Sequence, residues 1–495
     1  MKLPELLKIL PEYQSSAPEV EVLSLTHDAR QVHLGSVFVA VPGTSWDGHQ
    51  FLNEACAAGA IALVVEREDL VPANFTGFVQ KVKGSREALD LLASQFYQHP
   101  SMEMACFGVT GTNGKTSVTY LLEAILEKFR FPCGVLGTIN HHLGSQVWPT
   151  NLTTPDAVSL QKRLREMKEA GAKAVAMEIS SHALDQARAD GVHFNTVIFT
   201  NLSRDHLDYH ESMKDYFQAK QKLFTDLLWN SRKNPHFAIV NSDDPWGAKM
   251  RVAASASLWT YGTKKNADFR YEIQRMDFNR TDFILKTPLS DYQSFLPMCG
   301  THNVANAVAA AIAASTIGIP IRQSLEALTR FHGVPGRLQL VPNSRSLHVF
   351  VDYAHSPDAL ENVLKALNKV RTDLKSHSQI WTIFGCGGDR DKGKRPQMAE
   401  IAIRLSDFVM VTSDNPRTED PYAIINDIMD GFTESERKKR VEMQVDRKKA
   451  IETVFKMAKP HDVILIAGKG HEDYQIIGKE KIHFSDFETA KELLL

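Results

Sequence analysis

A chain of 495 residues is too long for one ordinary hydrophobic core and suggests about three domains of ~100–200 residues each. With 43% hydrophobic and 23% charged residues the composition is that of a soluble globular protein. Lys+Arg 57 against Asp+Glu 59 leaves a net charge of -2, which excludes a general attraction to nucleic acid or anionic membrane, so any anion must be held locally. In chain order, the run Met1 to Leu10 is broken by Pro4, Glu5 and Lys8 and lacks a signal-peptide core. Phe38-Val39-Ala40-Val41 and Ala60 to Val65 read as short strands, and Ser85 to Tyr97 as a helix. His99-Pro100-Ser101 is expected as a hinge closing a first domain, 1–99.

Met104 to Val109 then reads as a buried strand, and Ser117 to Phe129 as a helix with Val118, Leu121, Leu122, Ile125 and Leu126 at helical spacing. Between them runs Gly108-Val109-Thr110-Gly111-Thr112-Asn113-Gly114-Lys115-Thr116. Strand, glycine loop and helix form the context a phosphate needs. Small residues let backbone N–H groups converge, the helix N-terminus adds favourable partial charge, Lys115 can reach terminal phosphates, and the Thr116 hydroxyl can ligate Mg²⁺. The general phosphate-loop pattern wants a glycine at the position of Val109, whereas here it is Gly108. Thr110 to Thr116 instead resembles the ATP loop of the Mur ligase and folylpolyglutamate synthetase superfamily, whose members join a carboxylate to an amine at the expense of ATP. Gly111, Thr112, Asn113, Gly114, Lys115, Thr116 and Ser117 are the expected ATP contacts.

The resemblance implies roles elsewhere. Asp28-Ala29-Arg30, Gly35, Phe38-Val39-Ala40 and Asp47-Gly48 resemble the family's N-terminal domain, which holds the uridine diphosphate end of a UDP-muramoyl substrate; the family's usual Asp-Ser-Arg is here Asp28-Ala29-Arg30, without the hydroxyl. Thr44-Ser45-Trp46 is the better candidate for the nucleotide, with a stacking face on Trp46 and hydroxyls for phosphate.

Over 100–331, alternating strands and helices imply a mostly parallel sheet with active groups at strand C-terminal ends. Ala174-Val175-Ala176-Met177 delivers Glu178 as a Mg²⁺ carboxylate, and Thr196-Val197-Ile198-Phe199 leads to His206 as a second ligand or orienting group. Asn201 to His210 and Tyr216 to Lys220 resemble the family pattern in which the lysine is carboxylated by CO₂, so a carbamate on Lys220 is expected to help hold metal. Thr153, Thr154, Ser180, Gln186 and Arg188 match positions that in the family contact the muramoyl substrate, Asn151 is added only as a member of the same loop, and Asn303 matches a position that meets adenine. The Ala-rich run Val304 to Ala314 fits a packed helix.

The last domain, 332–495, opens on a turn-rich linker whose Arg337 matches a family arginine that meets ATP. Val349-Phe350-Val351 ends in Asp352, a candidate ribose ligand. Strands ending near Phe384, Ser413 and Ala467 aim Arg390, Asp414, Asn415, Pro416, Arg417, Gly468 and Glu472 at one rim. Two guanidiniums can each grip a carboxylate, and Asp414 with Glu472 can hold an ammonium. Asp414-Asn415-Pro416-Arg417 resembles the signature of family members that add meso-diaminopimelate to UDP-muramoyl-alanyl-glutamate. A site that buries Arg417 for the second carboxylate would reject lysine by as much as ~10⁴.

The expected fold is α/β in three domains: a smaller N-terminal one, a central phosphate-loop sheet and a Rossmann-like C-terminal one. The expected partners are small molecules, with ATP, Mg²⁺ and a carbamylated Lys220, and neither nucleic acid nor membrane. Five scattered cysteines, odd in number, argue for a reducing cytoplasm and against a zinc site. A monomer is expected. Arg437 to Arg440 reads as a solvated charged face. The rival readings are a lysine-adding relative, a folylpolyglutamate synthetase, and a non-catalytic ATP-binding switch.

Overall fold

Short apolar runs punctuated by glycine, proline and aspartate form the strands of three α/β sheets in this computed structural model, which describes residues 1–14, 16–43, 46–150 and 152–495. The first sheet takes β1 (Ser24–Thr26), β2 (Ser36–Val39), β3 (Ala60–Val65) and β4 (Phe78–Lys81) in that order, all parallel. Val37, Val39, Ala62 and Val64 meet Leu7, Leu89 and Leu92 on one face; Phe38, Leu63 and Val65 meet Leu52 and Ala55 on the other. Apolar residues on both faces are what a parallel sheet covered by helices requires. The strand expected over 38–41 sits two residues earlier, although the Ala40 amide still bonds to the Val64 carbonyl.

The chain divides into two compact units, Met1–Phe269 with Ala309–Ile321, and Arg270–Val308 with Arg322–Leu495. In the first, His99-Pro100-Ser101 is a packed joint: the His99 ring bonds to Ser94 and Gln95, and the Ser101 hydroxyl accepts from the His193 amide. The second sheet follows with β5 (Ala105–Thr110), β6 (Cys133–Leu136), β7 (His141–Leu143), β8 (Gln146–Trp148), β9 (Ala174–Glu178), β10 (Thr196–Phe199), β11 (Phe237–Asn241) and β12 (Ser257–Gly262). Their order is β12-β11-β10-β5-β9-β6-β7-β8, parallel from β12 to β6, with β7 and β8 antiparallel. Because β9 and β10 flank β5, three strand C-termini deliver their polar residues to one edge, where ligands of open parallel sheets bind.

From Arg270 the second unit begins with an antiparallel meander of β13 (Phe269–Met276), β14 (Thr281–Lys286) and β15 (Asp291–Leu296), and the Ala-rich helix Thr301–Ser315 comes next in the chain. The third sheet contains β16 (Gln339–Val341), β17 (His348–Asp352), β18 (Ile380–Phe384), β19 (Phe408–Val411), β20 (Val441–Met443) and β21 (Val463–Ala467). They run in the order β16-β17-β21-β18-β19-β20, with only β16 antiparallel, and a hairpin of β22 (Tyr474–Ile477) and β23 (Glu480–His483) follows.

The expected solvated face at 437–440 is only partly so. Arg440 donates to the carbonyls of Ile403, Ser406 and Asp407, satisfying groups at the C-terminal end of the helix Lys394–Leu405. Among the described residues no helix is long and apolar enough to cross a membrane.

Candidate functional site

The glycine loop is held from the end of β10. Asn201 accepts from the Asn113 amide through Oδ1 at 3.0 Å and donates to the Asn113 carbonyl through Nδ2 at 3.0 Å, while the Thr200 hydroxyl donates to that carbonyl at 2.6 Å. A Cβ at Gly111 would collide with Thr200 Oγ1, so only glycine lets the loop lie this close. The helix Lys115–Lys128 starts at Lys115, two residues before the expected start, and buries Thr116 and Ser117. Lys115 Nζ folds over the loop to the carbonyls of Gly111 at 2.9 Å and Thr112 at 2.8 Å.

Beneath it lies Lys220, 1% exposed on the helix Met213–Lys222. Its Nζ donates to the Gly111 carbonyl at 3.0 Å and rests 4.6 Å from the Tyr216 ring centroid, and no carboxylate pairs with it among the described residues. Burial, and then the Lys115 charge, hold its amine well below the ordinary lysine range.

Glu178, last in β9 and 1% exposed, accepts from the Thr138 amide and hydroxyl, each at 3.0 Å. Thr138 in turn bonds to Thr153, which ties the substrate loop to this carboxylate. No cation pairs with Glu178 among the described residues. The His206 ring lies 5.0 Å from His182 and 5.9 Å from Tyr216. Among the described residues no group of three or more His, Cys, Asp or Glu could hold a metal. The expected donors are of another composition, since Thr116 and Lys220 make up half of them.

A cleft of about 900 Å³ lies between the first sheet and the loops after β8 and β9, with Trp46, Gln186 and Arg188 among its walls. Trp46 is 71% exposed; Thr44, Ser45 and Asn151 lie outside the described residues. The remaining expected residues are joined by hydrogen bonds. Arg188 donates to the Thr154 carbonyl and to Gln186 Oε1, Gln186 donates to Tyr209 Oη, and the Thr154 hydroxyl bonds to the Glu178 carbonyl and the Ser180 amide. Ser180 Oγ caps the following helix through the Ala183 amide.

Sequence reasoning missed His27 and Arg86 in these walls. His27 Nδ1 is buried without a hydrogen-bond partner among the described residues. Arg86 occupies the first turn of the helix Ser85–Phe96, where a cation is disfavoured by the dipole, and that misplaced charge was the available signal. Asp28 caps the turn Ala29–Gln31 and grips Arg30 at 2.9 and 2.8 Å, which holds its carboxyl down at about 2.

In the second unit the strand ends of β18, β19 and β21 converge as expected. Arg417, half-buried and at φ 52°, has its backbone held by Ile476 and Gly478, and its guanidinium donates to the Gly388 carbonyl at 2.8 Å. A Cβ on Gly387 would meet the Arg417 guanidinium at 2.9 Å and the Cγ methylene of Arg390 at 3.7 Å, so both side chains leave the chain beside one glycine. Gly388 packs against the Pro416 carbonyl. Asn415 Nδ2 donates to Glu472 Oε2 at 2.9 Å, and Lys469, absent from the expected set, donates to Asp414, Asn415 and Glu472.

Two buried guanidiniums brace this rim. Arg447 pairs with Asp486 at 2.7 Å and donates to the carbonyls of Ser413 and Ala467, fixing the strand ends before Asp414 and Gly468. Arg395 pairs with Glu419 and Asp427 and donates to the Gly387 carbonyl. Of the expected ATP contacts in this unit, Asn303 donates to the Cys299 carbonyl at 2.8 Å, and Arg337 lies 5.1 Å from the Tyr353 ring. Asp352 accepts from the amides of Leu338 and Ala354, so it anchors the linker that bears Arg337.

Three stretches match described domains: residues 21–97 the Mur ligase family catalytic domain, 109–314 the Mur ligase middle domain, and 336–470 the Mur ligase glutamate ligase domain. The chain is 42% identical over 99% of its length, and 98% of the other's, to the UDP-N-acetylmuramoyl-L-alanyl-D-glutamate–2,6-diaminopimelate ligase of Geobacter metallireducens. A solved structure of a ligase of that name shares 32% identity at a TM-score of 0.73, covering 100% of this chain and 99% of that one. The MurF ligase of Thermotoga maritima in complex with ADP shares the fold at 19% identity and a TM-score of 0.60, covering 95% and 96%.

Proposed function

The chain belongs to the Mur ligase family, and on that footing we propose that it uses ATP to join meso-diaminopimelate to UDP-N-acetylmuramoyl-L-alanyl-D-glutamate, a step of peptidoglycan precursor synthesis. The observation that carries the substrate assignment is the Arg417 guanidinium beside Gly387, with the stem of Arg390 next to the same glycine and with Asp414 and Glu472 tied to Asn415 and Lys469: groups suited to carboxylates and an ammonium on one rim. Segments 1–99, 100–331 and 332–495 would hold the sugar nucleotide, the ATP and the amino acid respectively.

The glutamate carboxylate attacks the γ-phosphorus of ATP, releasing ADP and leaving an acyl phosphate. The loop amides after Gly111 and the Lys115 ammonium neutralise charge as it spreads over the transferred group. The diaminopimelate amine then attacks the acyl carbon, loses a proton, and the tetrahedral intermediate collapses to amide and phosphate. Gln186, Arg188, Thr153 and Thr154 would orient the muramoyl dipeptide, Trp46 with His27 and Arg86 the nucleotide end. Asn303 would contact the adenine, Asp352 the ribose, and Arg337 the ATP. Glu178, a buried carboxylate with no paired cation among the described residues, fits a Mg²⁺ ligand, with Thr116, His206 and a carbamate on Lys220 completing the set. The metal would supply charge neutralisation at the phosphates. The unpaired, buried amine of Lys220 supports the carbamate: its lone pair bonds to the carbon of CO₂ and a proton leaves.

We further propose a monomer acting in the cytoplasm, which the five free cysteines support. Sedimentation at working concentration checks the first. A phosphate-release assay tests the function: release should need both the UDP-muramoyl dipeptide and meso-diaminopimelate, and lysine should compete weakly. Release driven better by lysine would overturn the Arg417 assignment, and nucleotide binding without acceptor-dependent turnover would favour a switch.

A further inference from the structure

Lys469 follows the strand β21 between two glycines in the left-handed region, Gly468 at φ 115° and Gly470 at φ 54°. The turn they make directs its side chain inward, where it is 0% exposed. A buried ammonium needs an acceptor for each of its three protons. Lys469 Nζ has three: Asp414 Oδ1 at 3.4 Å, Asn415 Oδ1 at 3.2 Å and Glu472 Oε2 at 3.2 Å, with the Tyr474 ring 5.5 Å away. Asn415 is fixed in that orientation, because its Oδ1 also accepts from the Ile476 amide and its Nδ2 donates to Glu472. Each carboxylate thus turns one oxygen to Lys469. The other, Asp414 Oδ2 or Glu472 Oε1, takes no hydrogen bond from a described residue, and the two side chains keep 9% and 16% exposure.

We propose that Lys469 is a positioning residue of the amino-acid pocket, holding Asp414, Asn415 and Glu472 on one point and reducing two negative charges to one. The inference rests on reading this rim as an amino-acid site. The remaining single charge matches one substrate ammonium, offered the two outward oxygens while Arg390 and Arg417 take carboxylates. The Arg447–Asp486 pair behind the strand ends is itself neutral and leaves the count unchanged.

The charge count makes a prediction that a lysine of purely structural value would not. Glu472→Gln leaves the seat neutral and weakens amino-acid binding. Adding Lys469→Met to it restores one negative charge, so the double variant should have a KM for the amino acid about 10-fold lower than Glu472→Gln alone. Lys469→Met by itself should raise that KM about 100-fold, since it leaves two facing carboxylates without their counter-ion. The KM values for ATP and UDP-muramoyl dipeptide should stay within about 2-fold in all three variants, because these changes remove only amino-acid binding. Phosphate release by the whole protein reads all of this, and the Glu472→Gln comparison stands even if Lys469→Met alone does not fold. A double variant poorer than Glu472→Gln, or a parallel rise in all three KM values, overturns the proposal. The series is run with meso-diaminopimelate and with lysine. If the parent protein turns over with lysine alone, the diaminopimelate reading fails while Lys469 is judged on lysine, and if no amino acid stimulates release, both fail.

Discussion

The two compact units treat buried charge in opposite ways. In the second, Arg447 meets Asp486, Arg395 meets Glu419 and Asp427, and Lys469 meets Asp414 and Glu472, so every one of these withdrawn cations has a carboxylate. In the first, Lys220 has a carbonyl and a tyrosine face, and Asp90 lies wholly buried against the Gly191 backbone with no cation paired to it among the described residues. Pairing fixes geometry, as a pocket that must recognise a rigid pattern of charges requires. Leaving a group unpaired instead shifts its protonation equilibrium, and burial with the Lys115 charge holds the Lys220 amine well below the ordinary lysine range. Burial alone therefore does not decide what a lysine does; its neighbours do.

The contrast is tested most severely at the paired end. Arg447→Met strands the Asp486 carboxylate and should cost about 3–5 kcal/mol of stability, read by denaturant unfolding, whereas Arg447→Met with Asp486→Leu should recover much of it. A single variant as stable as the parent would show that the brace is dispensable. At the unpaired end, Lys220→Ala should lower kcat on the order of 10³-fold with less effect on KM, and short carboxylic acids should restore part of the rate. ¹³CO₂ should also give a carbamate resonance that this variant lacks. Next in size, Arg417→Ala should raise the KM for meso-diaminopimelate about 100-fold and flatten its advantage over lysine in competition.

The same contrast explains what the sequence disclosed. The phosphate loop is made by contiguous backbone, so Gly111 to Thr116 announces itself, and β3 and β10 were legible as short β-branched runs with turns on either side. Strand ends bearing Glu178, Asp414 and Arg417 could be placed because a parallel sheet sends its C-termini to one edge. Lys469 and Arg447 could not, because Asp414 lies 55 residues from the first and Asp486 39 residues from the second, and a lone basic residue has no local pattern. Arg440 was read as solvated for the same reason: its acceptors are helix-end carbonyls more than thirty positions earlier. The β13–β15 meander went unanticipated because its half-exposed alternation is interrupted by charged residues.

The smallest effect concerns the acids of the first unit. Asp90, on the helix Ser85–Phe96, lies wholly buried beside Gly191, and burial with the nearby Asp190 charge pushes its carboxyl well above the usual range; burial raises Asp190 to about 6. Both groups hold protons in the folded state that the unfolded chain releases near pH 4. Their contribution to stability is therefore complete below that pH and is lost as pH rises through about 6 and beyond. Asp90→Asn keeps the shape without the proton to lose. It should leave stability near pH 4.5 almost unchanged and raise it at pH 8 by about 1–2 kcal/mol, as chemical unfolding at the two pH values would show. If the variant were instead less stable at pH 8, Asp90 would have to be an ionised group with a cation of its own, and the first unit would no longer differ from the second.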